Sequence, residues 1–413
     1  MQGGPAPTHC LLPTVYCLLS TSPVFSSRLS FDVPANRLSA ALAHLRGAHV
    51  AFDDLTESNP TKVGLTYPPR LLDALAAPSG LRYEPQALGT KTARQAIDAD
   101  LRRRGLPTPA DRVVVTASTS DAYSLLFKLL CDPGDEVLVP APSYPLFEYL
   151  AHLDSVAVRP FRLDYHGEWA IDLDSLRRQA SPRAKAVVVV NPNNPTGSYV
   201  KRQELDALAT FCAAHGLALI GDEVFAEYVL DAELRRTVSV LAQRKALTFS
   251  LGGLSKSLGL PQLKLGWMAV GGPDELARQA VDRLELIADT YLSVGTPVQE
   301  ALPSLLNYGA VVRTLIRERV TRNYRALREL AAKHPSVTVL PSEGGWYAVL
   351  QVAAMQTEES IVLQLLEQDR VLVHPGYFFD FPREAFLVAS LLPQAEVFDR
   401  AIARVLARVE VTR

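Results

Sequence analysis

Val187-Val188-Val189-Val190 runs directly into Asn191-Pro192-Asn193-Asn194-Pro195-Thr196-Gly197, and the reading of this junction decides the fold. Four β-branched residues with no polar alternation read as a strand buried on both faces, the state of a parallel strand covered by helices. Two prolines and a glycine then fix a rigid turn, so the amides of Asn191, Asn193 and Asn194 project from the carboxyl end of that strand. Open α/β sheets bind ligands at that end. Asn-Pro and Thr-Gly are also ordinary turn formers, so the turn alone does not establish a site.

Outward from this junction, similar apolar runs occur at 113–115, 137–139, 217–220, 247–249 and 265–268, separated by amphipathic stretches such as 121–130 and 203–215. Ala122, Leu125, Leu126 and Leu129 share one helical face, as do Leu205, Leu208, Ala209 and Cys212. This rhythm predicts an α/β large domain, a mainly parallel sheet flanked by crossover helices. After about residue 288 the rhythm changes. A long helical stretch at 311–333 and short strands at 337–340, 347–352 and 386–390 predict a smaller α+β domain. The expected organisation is a large domain over 59–290, a small C-terminal domain over 291–413, and an N-terminal segment, 28–58, packing with the small domain. Residues 1–27 contain no Lys or Arg, and Pro13 and Pro23 interrupt their apolar pairs. They read as a disordered extension rather than a secretory signal.

A chain of 413 residues exceeds what one hydrophobic core usually fills, which leaves room for a sizeable buried site. Its formal charge of -2 gives no electrostatic reason to bind nucleic acid or an anionic membrane, so a small molecule is the expected partner. No apolar run is long enough to span a bilayer. Arg313, Arg317, Arg322, Arg325 and Arg328 are interleaved with Glu318 and Glu329, the pattern of a solvated helix face. Cys10, Cys17, Cys131 and Cys212 form no C-x-x-C pair and lie far from any His cluster, so they read as reduced thiols of a cytoplasmic protein and not as metal ligands.

Three further stretches carry chemistry to the same sheet edge. The strand at 217–220 delivers Asp222-Glu223, and a carboxylate in apolar surroundings calls for a cationic partner such as a protonated heterocyclic nitrogen. Capping of the next helix is the plain alternative. Thr119 and Ser120 follow the strand at 113–115 and open a helix, where free N–H groups and hydroxyls cradle phosphate, although simple N-capping uses the same residue types. Lys256 lies in Gly252-Gly253-Leu254-Ser255-Lys256-Ser257-Leu258-Gly259, a crowded backbone with room for a bulky partner. Desolvation there lowers an amine's pKa and exposes its lone pair for attack on an aldehyde.

The order and spacing of these motifs resemble the class I/II aminotransferases, fold-type I pyridoxal-phosphate enzymes, from about residue 28 to 409. Asp54-Leu55-Thr56-Glu57-Ser58-Asn59-Pro60, Tyr83-Glu84-Pro85, Gly344-Gly345-Trp346-Tyr347 and Val373-His374-Pro375-Gly376 are similar to that family too. The resemblance implies that Lys256 carries pyridoxal 5'-phosphate as a Schiff base and shuttles a proton between the substrate α-carbon and the cofactor's C4′ carbon. It implies that Asp222 pairs with the pyridinium nitrogen and that Asn194 hydrogen-bonds the phenolic oxygen. Tyr144 would stack on the ring, and Thr119, Ser120 and Ser255 would surround the phosphate. Tyr83 would reach the phosphate across a homodimer interface. Asn59 and Trp346 fall at substrate-facing positions. The expected activity is transfer of an amino group between an amino acid and a 2-oxo acid. A lyase, decarboxylase or racemase on the same scaffold is the alternative, and a non-catalytic effector-binding module a further one.

Four positions depart from the family pattern. Lys264 stands where an arginine clamps the phosphate, giving a point charge without the bidentate fork. Gly253 replaces a serine, and Phe225 replaces a tyrosine that donates to the phenolic oxygen. Val388, in Phe386-Leu387-Val388-Ala389-Ser390, stands where an arginine grips the substrate α-carboxylate. Either another cation grips the carboxylate or the substrate is anchored differently; Arg383, on the preceding loop, is the nearest basic residue in sequence and the candidate cation.

Overall fold

A computed structural model describes residues 26, 28, 36–106, 108–230, 236 and 239–411; the extension expected at 1–27 lies almost wholly outside them. Eight strands build the larger sheet: β1 (Val113–Thr116), β2 (Glu136–Ala141), β3 (Ala157–Tyr165), β4 (Trp169–Ile171), β5 (Ala184–Val190), β6 (Ala218–Asp222), β7 (Thr248–Gly253) and β8 (Gly266–Gly271). Their order is β1-β8-β7-β6-β5-β2-β3-β4. Pairing is parallel from β3 through β2, β5 and β6 to β7. The valine run of β5 is buried throughout, as a strand covered on both faces must be.

The fold class is α/β as expected, with two refinements. Strand β8 runs antiparallel to both β7 and β1, so one flank of the sheet is antiparallel. Strands β3 and β4 were not expected at all, because β3 alternates poorly and carries Arg159, Pro160 and Arg162 on a largely exposed edge.

A second, four-stranded antiparallel sheet is formed by β9 (Val337–Val339), β10 (Tyr347–Val352), β11 (His374–Pro375) and β12 (Phe386–Ser390), in the order β9-β10-β12-β11. Asp53–Asp54 pairs in parallel with Val371–Leu372, which ties the N-terminal segment to the C-terminal part of the chain. The helix expected over 311–333 runs from Thr296 to Ala331. Pro297 occupies its first turn, where a missing N–H costs nothing, but Pro303 lies inside it. That interior proline and Gly309 hid the first four turns from a periodicity reading.

The chain reverses its direction of sheet growth at β5, which inserts beside β2 and continues to β6 and β7. The loops after β2 and β5 therefore flank a topological switch point, the crevice in which open α/β sheets bind ligands.

Candidate active site

Register brings the sequence motifs to one level. Val190 lies opposite Asp222, and Asp222 opposite Leu251. Asn191 donates its N–H to the Asp222 carbonyl at 2.8 Å, and Glu223 donates to the Leu251 carbonyl at 3.0 Å. The ends of β5, β6 and β7 thus sit side by side, and the one-turn helix Leu254–Ser257 follows β7 immediately and carries Lys256. Glu223 turns the other way and is held by Ser250 Oγ and the Val240 N–H, both at 2.7 Å.

The glycines around Lys256 have a different purpose from the one their sequence implied. A Cβ on Gly252 would lie 2.7 Å from the Trp267 ring, and one on Gly266 would lie 3.0 Å from the Ser118 backbone. The space is taken by protein. These glycines let β7 and β8 accept Trp267 and draw the start of the helix Thr119–Leu130 against the Lys256 turn. Ser118 caps that helix, its Oγ accepting the Asp121 N–H at 3.1 Å. Thr119 and Ser120 are its first two residues, and their N–H groups make no hydrogen bond among the described residues.

Burial dominates the electrostatics. It lowers the Lys256 ammonium to about 8, opposed by the carboxylates of Asp222 and then Glu57. It raises the Asp222 carboxyl to about 6, opposed by hydrogen bonds from the Val224 N–H and the Tyr123 hydroxyl, each at 3.3 Å, and by the charge of Lys256. Lys256 Nζ stands 5.3 Å from the centre of the Trp346 ring and 5.7 Å from that of Phe225. Those rings meet edge to face, 5.2 Å between centres. Trp346 is fully buried, and its Nε1 has no partner among the described residues; the same holds for Asn194 Oδ1. The amide oxygen and nitrogen of Asn194 can exchange places, so either can face a ligand.

The other expected residues divide. Tyr144, 38% exposed, follows β2 and lies 6.2 and 6.4 Å from Phe378 and Phe379, ring centre to ring centre. Ser255 is partly buried beside Lys256, whereas Lys264 is exposed on a left-handed backbone, φ 50°. Tyr83 is 77% exposed. Asn59 spends its Oδ1 on Thr61, accepting from N at 3.0 Å and Oγ1 at 2.8 Å, which leaves only its amide nitrogen for a ligand. Arg383 does not join the site. It is exposed and stacks on Phe386, 5.5 Å from the ring centre, at the start of β12. Ser390, opposite Tyr347, marks the end of β12 near Trp346, about 13 Å further along the strand. This placement removes Arg383 as the candidate cation for the arginine missing at Val388. Val388 itself is fully buried, opposite Val349 and His374.

Three residues emerge only from the structure. Tyr123 is buried beneath Asp222, Tyr228 donates its hydroxyl to the Lys256 carbonyl, and Glu57 contributes negative potential at Lys256. Tyrosines at apolar spacing read as core, so the first two left no sequence signal. Glu57 lay within a recognised motif but had no assigned role.

Fold and site together define an α/β enzyme of fold type I, built around a desolvated lysine at the carboxyl edge of a mainly parallel sheet. The chain belongs to the class I and II aminotransferase family, whose model matches residues 58–405. It is 26% identical to the glutamate-pyruvate aminotransferase AlaA of Escherichia coli strain K12 over 358 residues, 85% of this chain and 88% of that one. It is 28% identical to the alanine aminotransferase of Mycobacterium bovis, over 85% of this chain and 83% of that one. The solved structure of an alanine aminotransferase from Pyrococcus furiosus superposes with a TM-score of 0.81 at 25% identity, covering 93% of this chain and 98% of that one.

The family implies pyridoxal phosphate, and the residues present fit it. Among the described residues a partly buried carboxylate with raised pKa has no cationic partner other than Lys256, an asparagine amide oxygen has no partner, and a helix start offers free N–H groups.

Proposed function

We propose that this aminotransferase uses pyridoxal 5'-phosphate to move an amino group between an amino acid and a 2-oxo acid, as a cytoplasmic homodimer. The reading is carried by Lys256, a partly neutral amine whose charge interacts with the Asp222 carboxylate at the switch point of the sheet. Bound pyridoxal phosphate supplies an electron sink that lets the amino group change carbons. The protein's residues do the rest. Lys256 Nζ anchors the cofactor and, once released, takes the proton from the donor's α-carbon. Asp222 holds the ring nitrogen protonated, and Tyr123 holds Asp222. Asn194 binds the phenolic oxygen, Tyr144 covers a ring face, and Phe225 and Trp346 exclude water around Lys256. Thr119, Ser120, Ser255 and Lys264 form the phosphate set.

The exposure of Tyr83, and of Leu81 at 90%, supports the homodimer, with Tyr83 serving the partner's phosphate. Cys131 and Cys212 are free, and no helix among the described residues is long and apolar enough to cross a membrane, in keeping with a cytoplasmic site. The pairing of Asp53–Asp54 with Val371–Leu372 supports assigning 28–58 to a small domain with 291–413, apart from a cofactor-binding domain over 59–290.

The test is a donor half-reaction. Holoprotein mixed with amino donors is expected to convert bound cofactor to pyridoxamine phosphate, and Lys256→Ala to lower that rate about 1,000-fold or more. Release of carbon dioxide or ammonia without pyridoxamine phosphate would replace transamination with decarboxylase or lyase chemistry.

A further inference from the structure

We propose that Glu57 is a specificity-determining residue that binds a second cationic group, an ammonium or guanidinium, on the amino donor. The inference rests on the aminotransferase reading and adds a substrate class to it.

Glu57 is placed at the site by its backbone. Ser390 donates its N–H to the Leu55 carbonyl at 2.6 Å and its hydroxyl to the Glu57 carbonyl at 2.7 Å. Ser390 lies directly opposite Tyr347, the residue after Trp346, whose ring faces Lys256 Nζ. The carboxylate of Glu57 accepts the Asn59 N–H at 2.8 Å through one oxygen, and among the described residues it makes no ion pair. Its charge is therefore not neutralised locally, and it reaches far enough to favour the ammonium form of Lys256.

Tyr347, Phe379, Tyr144 and Phe378 form a connected aromatic cluster, with successive ring centres 6.4, 6.4 and 6.2 Å apart. Of these only Tyr144 is exposed, and an exposed aromatic face attracts ammonium and guanidinium groups. Val388 shares the face of β12 with Ser390, because side chains two apart on a strand point the same way, and it offers no positive charge to an acidic donor. A donor with a second carboxylate would instead meet the like charge of Glu57.

Lysine, norleucine and α-aminoadipate test this, since their chains are matched and end in a cation, a methyl group and an anion. With holoenzyme and pyridoxamine phosphate formation as the readout, kcat/KM for lysine is expected to exceed that for norleucine about tenfold or more, and that for α-aminoadipate by a wider margin. Glu57→Gln keeps an acceptor for the Asn59 N–H and removes only the charge, so the lysine-to-norleucine ratio should fall about tenfold. Glu57→Lys should invert the order in favour of α-aminoadipate. Wild-type preference for norleucine or α-aminoadipate, or a ratio unchanged in Glu57→Gln, overturns the assignment while leaving transamination intact. Failure of every donor to form pyridoxamine phosphate overturns both readings.

Discussion

The carboxyl edge of the eight-stranded sheet and the inner end of the four-stranded sheet both reach Lys256, but they are built from different chemistry. The first contributes Asp222, Asn194 and the Thr119 helix start, polar groups fixed at strand ends by ladder register. The second contributes Trp346, Tyr347 and the ring cluster around Phe378 and Phe379, with Val388 buried among apolar neighbours. A strand end positions a polar group through the backbone, so the group stays put when its neighbours change. A packed aromatic cluster is set by side chains, so its shape depends on each neighbour it packs against. Of the chain's departures, Val388 lies in the four-stranded sheet, while Gly253 and Phe225 lie beside Lys256 at the edge of the larger one.

The sharpest way to break this comparison is Asp222→Asn. If the polar edge carries the chemistry, transamination should fall about 100-fold while the overall fold and its sheet content are kept. In cofactor-free protein, the pH dependence of amine labelling at Lys256 gives a second readout. The wild-type midpoint is expected near 8, with the reactive neutral amine gained as pH rises through it. The Asp222 carboxylate favours the charged amine, so its removal must move the midpoint lower. A midpoint that moves up, or an activity loss under about threefold, would mean that the edge is not the electrostatic centre of the site.

What could be read in advance follows the same division. Strands β5, β6 and β7 were legible because doubly covered strands are continuous apolar runs, and the polar residues that terminate them stand out against that background. Asp222 and Asn194 were visible for that reason, and Lys256 for its glycine-rich setting. Tyr123 was not, because a tyrosine among Ala122, Leu125 and Leu126 looks like one more core residue until the docked helix brings its hydroxyl to Asp222 at the end of β6. Arg383 was misplaced because nearness in sequence to Val388 says nothing about which end of a strand reaches the site. The glycines beside Lys256 were found but misread, since their bulky partner is Trp267 and the adjoining helix start.

Tyr123→Phe refines the comparison with a smaller expected effect. The lost hydroxyl is one of two donors lowering the Asp222 pKa, so that carboxyl should titrate above its wild-type value near 6 in cofactor-free protein, by about one unit or less. Carbon-13 spectra of labelled aspartate would read the shift directly. Stability should fall by about 1 kcal/mol, the usual net worth of one hydrogen bond, with turnover reduced only a few-fold. A downward shift would show that Tyr123 supports the neutral acid instead, and the role given to it beneath the cofactor nitrogen would have to be withdrawn.

Phe225→Tyr carries the smallest expected change and tests the seam between the two regions. Phe225 follows the β6 end that bears Asp222, yet its ring packs against Trp346 of the aromatic cluster, so it belongs to both. In the wild type it supplies bulk and no donor to the oxygen that Asn194 is assigned to bind. A tyrosine hydroxyl there adds a donor favouring the ionised form of that oxygen. The bound cofactor's visible absorbance should then titrate at lower pH in Phe225→Tyr than in the wild type, by about one unit or less. Equal titration curves would show that the added hydroxyl points into that cluster instead, with Phe225 acting as packing for Trp346 alone. In that case the boundary between the polar edge and the aromatic cluster would lie between the Asp222 turn and Phe225.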